Sequence, residues 1–171
     1  MNLLSIQNIK RNIMEISIVL TLSSSIPFLF HLAGLEGIRF LPIYLAILIG
    51  GYFVSLNSIL IVSLLTPLFN YLLTGMPIHT PLPILQILTL ELFVLAFAVS
   101  VIKEKNLNLI FKLALPILVA RVSSIVMILF YKNLTLNWFI DSRITGISGI
   151  ILNVILAYLI VGKFNDKKRS K

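Results

Sequence analysis

The sequence has no cysteine and few charged residues, and both absences limit what the chain can be. Without cysteine it offers no disulfide and no thiolate ligand for a metal. Charged residues make up 12% of the chain, whereas a soluble domain averages roughly 25%. Hydrophobic residues make up 58%, and the mean hydropathy is +1.05. These values predict an integral membrane protein.

The sequence also lacks the motifs of common catalytic sites. It has no glycine-rich phosphate-binding loop, no serine–histidine–acid set and no H-E-x-x-H zinc motif. Its two histidines, His31 and His79, have no acidic cluster nearby, so a metal site is not expected. We therefore predict that the chain is not an enzyme and has no cofactor.

Six apolar segments predict membrane-spanning helices, each of which needs about 20 residues to cross a core of roughly 30 Å. They lie near Asn12–Ala33, Phe40–Val54, Leu56–Leu73, Leu82–Ile102, Leu109–Tyr131 and Ile144–Gly162. The second segment is short, which indicates a tilted or partly interfacial helix. The first is too long for a signal peptide and no cleavage site follows it, so we interpret it as a retained helix.

The basic residues predict the orientation of these helices. With the N-terminus in the cytoplasm, ten basic residues fall at inner ends and three, Arg39, Lys132 and Arg143, fall in outer loops. The fold prediction is thus an all-α membrane protein, a bundle of six transmembrane helices over residues 1–164 with both termini cytoplasmic. A basic tail, 165–171, follows and is expected to face lipid headgroups rather than nucleic acid.

Three polar residues are predicted to lie at one depth inside the bundle. Glu91 is about 13 Å and Arg121 about 15 Å from the outer ends of their helices, at 1.5 Å per residue. Asn153 falls near the same level in the last helix. An ionisable group in hydrocarbon costs about 2.5–3.5 kcal/mol on insertion scales, so it needs a partner or a cavity.

Polar stripes on neighbouring helices are compatible with either a cavity or close helix packing. Ser63, Thr66, Asn70 and Thr74 share one face of the third helix, and Gln86 lies above Glu91. A structural salt bridge between Glu91 and Arg121, with helix packing through the Ser, Thr and Gly positions, explains the pattern equally well. Glu15 is expected to be solvated near the cytoplasmic interface.

Three stretches of the sequence, at 63–94, 116–126 and 144–161, resemble motifs of the substrate-binding S components of energy-coupling factor (ECF) vitamin transporters. The stretch SLLTPLFNYLLTGMPIHTPLPILQILTLELFV is similar to an "SPLxxxLLTGMPP" loop followed by "FELxxYG". PILVARVSSIV is similar to an "AGRI" segment, and ITGISGIILNVILAYLIV to "GxxGIxLQ". The resemblance covers residues 37 to 162. It departs at Ile78, at Leu95-Ala96 and at Ala120, so the substrate is not carried over.

The resemblance implies a small-molecule site in the outer half of the bundle, under a lid at Thr74–Pro83. Glu91 and Arg121 would offer opposite charges to a polar or zwitterionic ligand, such as a vitamin, and amides would add hydrogen bonds. The candidate binding residues are Glu91, Arg121, Asn153, Asn70, Gln86, Thr74, Gly75, Met76, His79 and Arg39.

The resemblance also implies partners: a transmembrane coupling subunit and two cytoplasmic ATPases, in a bacterial or archaeal cell membrane. Relatives use small residues of the first helix to contact the coupling subunit. Ser17, Thr21 and Ser25 have the same four-residue spacing here, although they also suit packing within the chain. Two other functions stay open from the residues alone, a stand-alone carrier or channel and a structural membrane protein.

Overall fold

A computed structural model describes residues 3–34, 37–75 and 82–169 of the chain. All regular structure in these ranges is helical, and no strand occurs in them. The helices are α1 (Leu3–Leu32), α2 (Gly37–Phe40), α3 (Pro42–Phe53), α4 (Leu56–Thr74), α5 (Ile84–Ile102), α6 (Leu109–Ser123), α7 (Leu136–Thr145) and α8 (Ile147–Arg169), with a 3-10 turn (Ser124–Leu129) after α6.

Five helical segments in these described ranges are long and apolar enough to cross a membrane. They are Gln7–Leu32, Leu56–Thr74, Ile84–Ile102, Leu109–Leu129 and Ile147–Phe164, and they coincide with five of the six predicted segments. A helix satisfies every backbone hydrogen bond within itself, which is the requirement in hydrocarbon. The chain is therefore an all-helical, multi-pass membrane protein.

The second predicted segment, near Phe40–Val54, corresponds to α3, whose bounds lie within two residues of the predicted ones. Leu41, directly before α3, has a left-handed backbone with φ of 49° and separates α3 from the short helix α2. Pro42 follows as the first residue of α3, a position that suits its fixed φ. The 12 residues of α3 extend about 18 Å at 1.5 Å per residue, which is less than a bilayer core.

This short helix forms the centre of the bundle. Its residues Pro42 to Leu48 and Gly50 to Gly51 are buried against α1, α4, α5 and α8. A Cβ on Gly51 would stand 2.6 Å from Cγ1 of Val99, so α3 and α5 approach more closely than any larger residue permits. The apolar character of α3 thus reflects a protein core rather than contact with lipid.

Several contacts join the end of α3 and the start of α4 to α1, α5 and α8. Oε2 of Glu15 accepts a hydrogen bond from the backbone N–H of Ser55 at 3.0 Å, and Nζ of Lys103 donates to the carbonyl of Gly51 at 2.9 Å. The ring of Phe53 lies 5.1 Å from that of Phe164 in α8. We call this the basic end of the bundle, defined by Ser55, Lys103 and Phe164.

Glu15 was expected to be solvated, and that expectation is wrong. Its side chain is only 15% exposed because it caps the connection between α3 and α4 through Ser55. Arg11 lies 3.7 Å away in the preceding turn of α1 and balances the charge of the carboxylate.

Candidate functional site

The carboxylate of Glu91 is the centre of a buried polar cluster. Glu91 is 1% exposed. Its Oε2 accepts hydrogen bonds from the hydroxyl of Tyr44 and from Nη1 of Arg121, the latter at 3.3 Å. Its Oε1 accepts from the hydroxyl of Ser124 at 2.5 Å and lies 2.8 Å from Nη2 of Arg143. We call these five residues the Glu91 cluster.

Four separate elements supply the Glu91 cluster. Tyr44 comes from α3, Glu91 from α5, Arg121 and Ser124 from α6 and the turn after it, and Arg143 from α7. The predicted ion pair between Glu91 and Arg121 is thus formed, and a second guanidinium joins it. The cluster lies away from the basic end, since Glu91 precedes Lys103 by about three helical turns in α5.

Short hydrogen bonds tie α7 to this cluster. Nη2 of Arg121 donates to the carbonyl of Ser142 at 2.7 Å, and Nη2 of Arg143 donates to the hydroxyl of Ser124. The guanidinium of Arg143 also lies over the ring of Phe139, 4.1 Å from its centroid. Bonds to an ionised group are the stronger kind, so α7 is held in place mainly by the two arginines.

The Glu91 cluster has more positive than negative charge. It contains two guanidinium groups and one carboxylate, and arginine stays protonated in proteins. Burial lowers the pKa of Arg143 from its ordinary value, while the Glu91 carboxylate raises it. The Nε atoms of Arg121 and Arg143 are buried and have no hydrogen-bond acceptor among the described residues. Both an excess charge and unused donors are therefore present.

Asn153 does not join the cluster; it supports the break between α2 and α3. Its Nδ2 donates to the carbonyls of Leu41 at 3.1 Å and of Phe40 at 3.4 Å. A Cβ on Gly149, one turn earlier in α8, would stand 2.4 Å from the carbonyl oxygen of Arg39. The stripe of small and polar residues on α8 therefore packs against the irregular backbone around Leu41.

The polar stripe of α4 faces α1. The hydroxyls of Thr66 and Ser23 are 2.8 Å apart, and Nδ2 of Asn70 donates to the carbonyl of Ser23 at 3.3 Å. Thr74 donates to the carbonyl of Asn70 at 2.7 Å. Asn70 thus takes part in the contact of α4 with α1, as in ordinary packing of membrane helices, while the hydrogen bond of Thr74 stays within α4.

Three of the remaining predicted binding residues, Gln86, Gly75 and Arg39, lie at the end of the bundle opposite the basic end. Gln86 is exposed on the first turn of α5, and Gly75 ends α4 with a φ of 70°. Arg39 is exposed at the end of α2. Met76 and His79, together with the rest of the predicted lid at 76–81, lie outside the described residues.

Arg39 borders a recess of about 570 Å³ at this end. The recess is lined by Arg39, Phe40, Ile144, Thr145 and Ser148. Its wall on α7 and α8 is close to the Glu91 cluster, because a Cβ on Gly146 would stand 2.8 Å from Nη2 of Arg121. One cation, two hydroxyls and an apolar floor are thus adjacent to the buried arginines.

The predicted partner residues of α1 point away from the bundle. Ser17, Thr21 and Ser25 are all exposed, and Oγ1 of Thr21 donates to the carbonyl of Ser17 at 2.8 Å. Only 11% of the most apolar stretch of α1 is buried, the smallest share of the five long segments in the described ranges. The alternative in which these residues pack within the chain is therefore excluded for this structure.

Sequence reasoning missed Tyr44, Ser124 and Arg143. Tyr44 is the first of the two tyrosines in α3, which is otherwise apolar. A buried tyrosine hydroxyl needs a hydrogen-bond partner, so the sequence did contain a signal that Tyr44 belongs to a polar cluster. Arg143 was assigned to an outer loop because α7 was not predicted. Ser124 gave no signal, since a single serine at a helix end is common.

No protein-family model, curated protein or solved structure matches this chain. The resemblance to S components of ECF transporters therefore stays a prediction that rests on the sequence motifs.

Proposed function

We propose that the chain is the substrate-binding S component of an ECF-type importer and binds a small anionic or zwitterionic molecule from outside the cell. In this proposal all six apolar helices, including α3, form the membrane domain, and both termini are cytoplasmic. The ATPases and the coupling subunit are separate chains that supply the energy for uptake.

The distribution of basic residues supports this orientation. Lys103 and Lys112 lie at the basic end, where the ammonium of Lys112 donates to the carbonyl of Lys103 at 2.9 Å. Arg39 and Lys132 lie in the connections on the other side of their helices. Cytoplasmic ends of membrane helices are enriched in lysine and arginine, so the basic end is the cytoplasmic one in this proposal.

The excess positive charge of the Glu91 cluster is the observation that carries the proposal. A buried charge needs compensation, and Glu91 compensates only one of its two arginines. A carboxylate or phosphate group of a ligand, entering through the recess beside Arg39, would balance the second arginine. Its apolar part would rest on Phe40 and Ile144, which line the same recess.

Ligand entry from this recess involves α7. The recess is bordered by Ile144 and Thr145, which end α7, and α7 is bound to the cluster through Arg143 and Ser142. A ligand anion that replaces the contact of Arg143 with Glu91 would release α7 from α5. We therefore propose that α7 is one of the segments that close the binding site.

The exposed stripe of α1 supports a partner in the membrane. Ser17, Thr21 and Ser25 give the helix a narrow, weakly polar face, and small residues allow two helices to approach closely. A coupling subunit is the partner that this face would accept in the proposal.

Native mass spectrometry of the purified chain tests the ligand proposal. The wild-type protein and the Lys132→Gln control, which removes an exposed charge, are expected to release a small anionic molecule. Arg143→Gln is expected to lose most of it because the uncompensated charge is gone. If all three proteins are free of small molecules, or all retain the same one, the site assignment is wrong.

A structural membrane protein is the second candidate, and one observation favours it. Glu91 already accepts four contacts, all from side chains of its own chain. A cluster of this kind can hold four elements together without any ligand. Under that alternative no small molecule raises the unfolding temperature, yet substitutions in the cluster still lower it.

A further inference from the structure

A second recess, of about 720 Å³, lies at the basic end of the bundle. It is formed where α3 ends, α4 begins and α5 passes into the connection to α6. Its lining residues are Val54, Ser55, Leu56, Ser100, Val101, Lys103, Glu104 and Lys105. None of them belongs to the Glu91 cluster or to the exposed stripe of α1.

The recess lies at the level where the apolar segments of two long helices end. The apolar segment of α5 ends at Ile102, directly before Lys103, and that of α4 begins at Leu56. Leu56 is 41% exposed and Val101 is 44% exposed, so the recess has an exposed apolar rim on this side. The headgroup layer, about 5–8 Å thick on each side of the core, begins at this level.

Backbone carbonyls hold the ammonium of Lys103, which lines the recess, and that of Lys112, which is bonded to the backbone of Lys103. Nζ of Lys103 donates to the carbonyl of Gly51, and Nζ of Lys112 donates to the carbonyl of Lys103, each at 2.9 Å. An ammonium has three donors, so each bond leaves capacity for a further acceptor. Because the carbonyls fix the positions of the ammonium groups, less side-chain entropy is lost when an anion binds.

The acidic groups near the recess compensate only part of this positive charge. Glu104 lies in the wall beside Lys103 and Lys105 and is exposed. The carboxylate of Glu15 is paired with Arg11 and accepts a hydrogen bond from the N–H of Ser55. The wall itself therefore has a net positive charge, which Lys112 increases.

We propose that this recess binds the headgroup phosphate of an anionic phospholipid. The phosphate accepts from Lys103 and Lys105, and the glycerol and the first acyl carbons contact Leu56 and Val101. The carbonyl-held ammonium of Lys103, the exposed Lys105 and the apolar rim together suit a molecule that is anionic at one end and apolar at the other. This site does not depend on the proposed transport function.

Lipid retention in native mass spectrometry tests the proposal. The full chain is reconstituted in nanodiscs of equal parts phosphatidylglycerol and phosphatidylcholine, and retained lipids are counted for each variant. Lys105→Gln is expected to lower phosphatidylglycerol retention about fivefold, which corresponds to about 1 kcal/mol per basic residue near an anionic surface. Glu104→Gln is expected to raise it, and the Lys132→Gln control at the other end is expected to leave it unchanged.

A second pair of variants separates the recess from general surface charge. Val101→Trp fills the recess and keeps every charge, whereas Val122→Trp places the same side chain on the exposed face of α6. Only the first is expected to lower phosphatidylglycerol retention. Both positions are exposed in helices, so both variants are expected to fold.

Three results would overturn the proposal. One is an equal loss of phosphatidylglycerol for Lys105→Gln and Lys132→Gln, which is the result for a diffuse surface charge. Another is unchanged retention in Val101→Trp. The third is full competition by soluble glycerol 3-phosphate, which would assign the recess to a free phosphate compound instead of a lipid.

Discussion

Arg143 and Glu91 form a buried ion pair with 2.8 Å between Nη2 and Oε1, and this pair links α7 to the centre of the bundle. The same carboxylate is already paired with Arg121. Glu91 therefore holds two guanidinium groups from two different elements, and its removal affects both.

Glu91→Gln is expected to destabilise the protein more than Arg143→Gln does. The first leaves two buried guanidiniums without a counter-charge, and loss of one partner of a buried pair costs about 3–5 kcal/mol. The second leaves the ion pair of Glu91 and Arg121, whose net charge is zero. We therefore expect the free energy of unfolding to fall by about 1–3 kcal/mol through lost hydrogen bonds. Thermal unfolding in detergent measures the order, and a larger loss in Arg143→Gln would contradict it.

Tyr44→Phe is expected to cost about 1 kcal/mol because it removes one donor to Glu91 without changing the shape of the core. Tyr158→Phe is the matched control, since Tyr158 is 44% exposed on α8. The two unfolding temperatures are compared under the same conditions. Equal values would show that the hydroxyl of Tyr44 contributes nothing to stability.

Gly149→Ala and Gly162→Ala are a matched pair of substitutions in α8. The first is expected to lower the stability of the protein and the second to raise it. A Cβ on Gly149 would stand 2.4 Å from the carbonyl oxygen of Arg39, so either α8 or the backbone before Leu41 must move. Overpacking of this kind costs about 1–3 kcal/mol. At Gly162 the nearest atom is 3.7 Å away, and alanine is the better helix former by about 1 kcal/mol.

The Gly149→Ala result tests the α2–α3 break directly. If Gly149→Ala unfolds at the wild-type temperature, the contact of α8 with this break does not exist in the membrane. A lower unfolding temperature for Gly162→Ala would instead indicate that α8 is generally intolerant of substitution.

Cysteine labelling tests whether α3 crosses the membrane with the other helices. The chain has no cysteine, so single cysteines at Ala33 and Asn57, both exposed, report the two ends of the α2–α3 segment. We expect an impermeant thiol reagent to label Ala33→Cys in intact cells, and Asn57→Cys only after permeabilisation. Labelling of both positions from one side would contradict the six-helix topology.

Thr21→Trp is expected to prevent co-purification with a membrane partner, because a large side chain on the exposed stripe of α1 keeps a second helix at a distance. Val122→Trp, on the exposed face of α6, is the control and is expected to retain the partner. The proteins are isolated from the native membrane in mild detergent and compared for associated chains. Equal co-purification of both variants would exclude α1 as the contact.

Hydropathy alone predicted the five long apolar segments, because lipid imposes a minimum length and a composition on each of them. The cost of isolated charges in hydrocarbon predicted that Glu91 and Arg121 each face a partner or a cavity, and a salt bridge between them was one of the two readings left open. The structure forms that salt bridge.

The α2–α3 break and the role of α7 were not predicted, for different reasons. Leu41 precedes Pro42, and the residue before a proline disfavours helical backbone angles. A signal for the break was therefore present in the sequence but was not used. Helix α7 is short and only Phe139 in it is buried, so it lacks an extended apolar face. Its position is determined by Arg143 and Ser142 through long-range contacts that no local pattern contains.

The central claim is that the excess positive charge of the Glu91 cluster binds an anionic ligand. A thermal-shift screen of small carboxylates, each beside its neutral amide analogue, tests it most directly. We expect at least one carboxylate at 100 times its Kd to add about 2.7 kcal/mol of stability, with no shift from its amide and none in Arg143→Gln. Equal shifts from a carboxylate and its amide, or no shift from any compound, would contradict the claim.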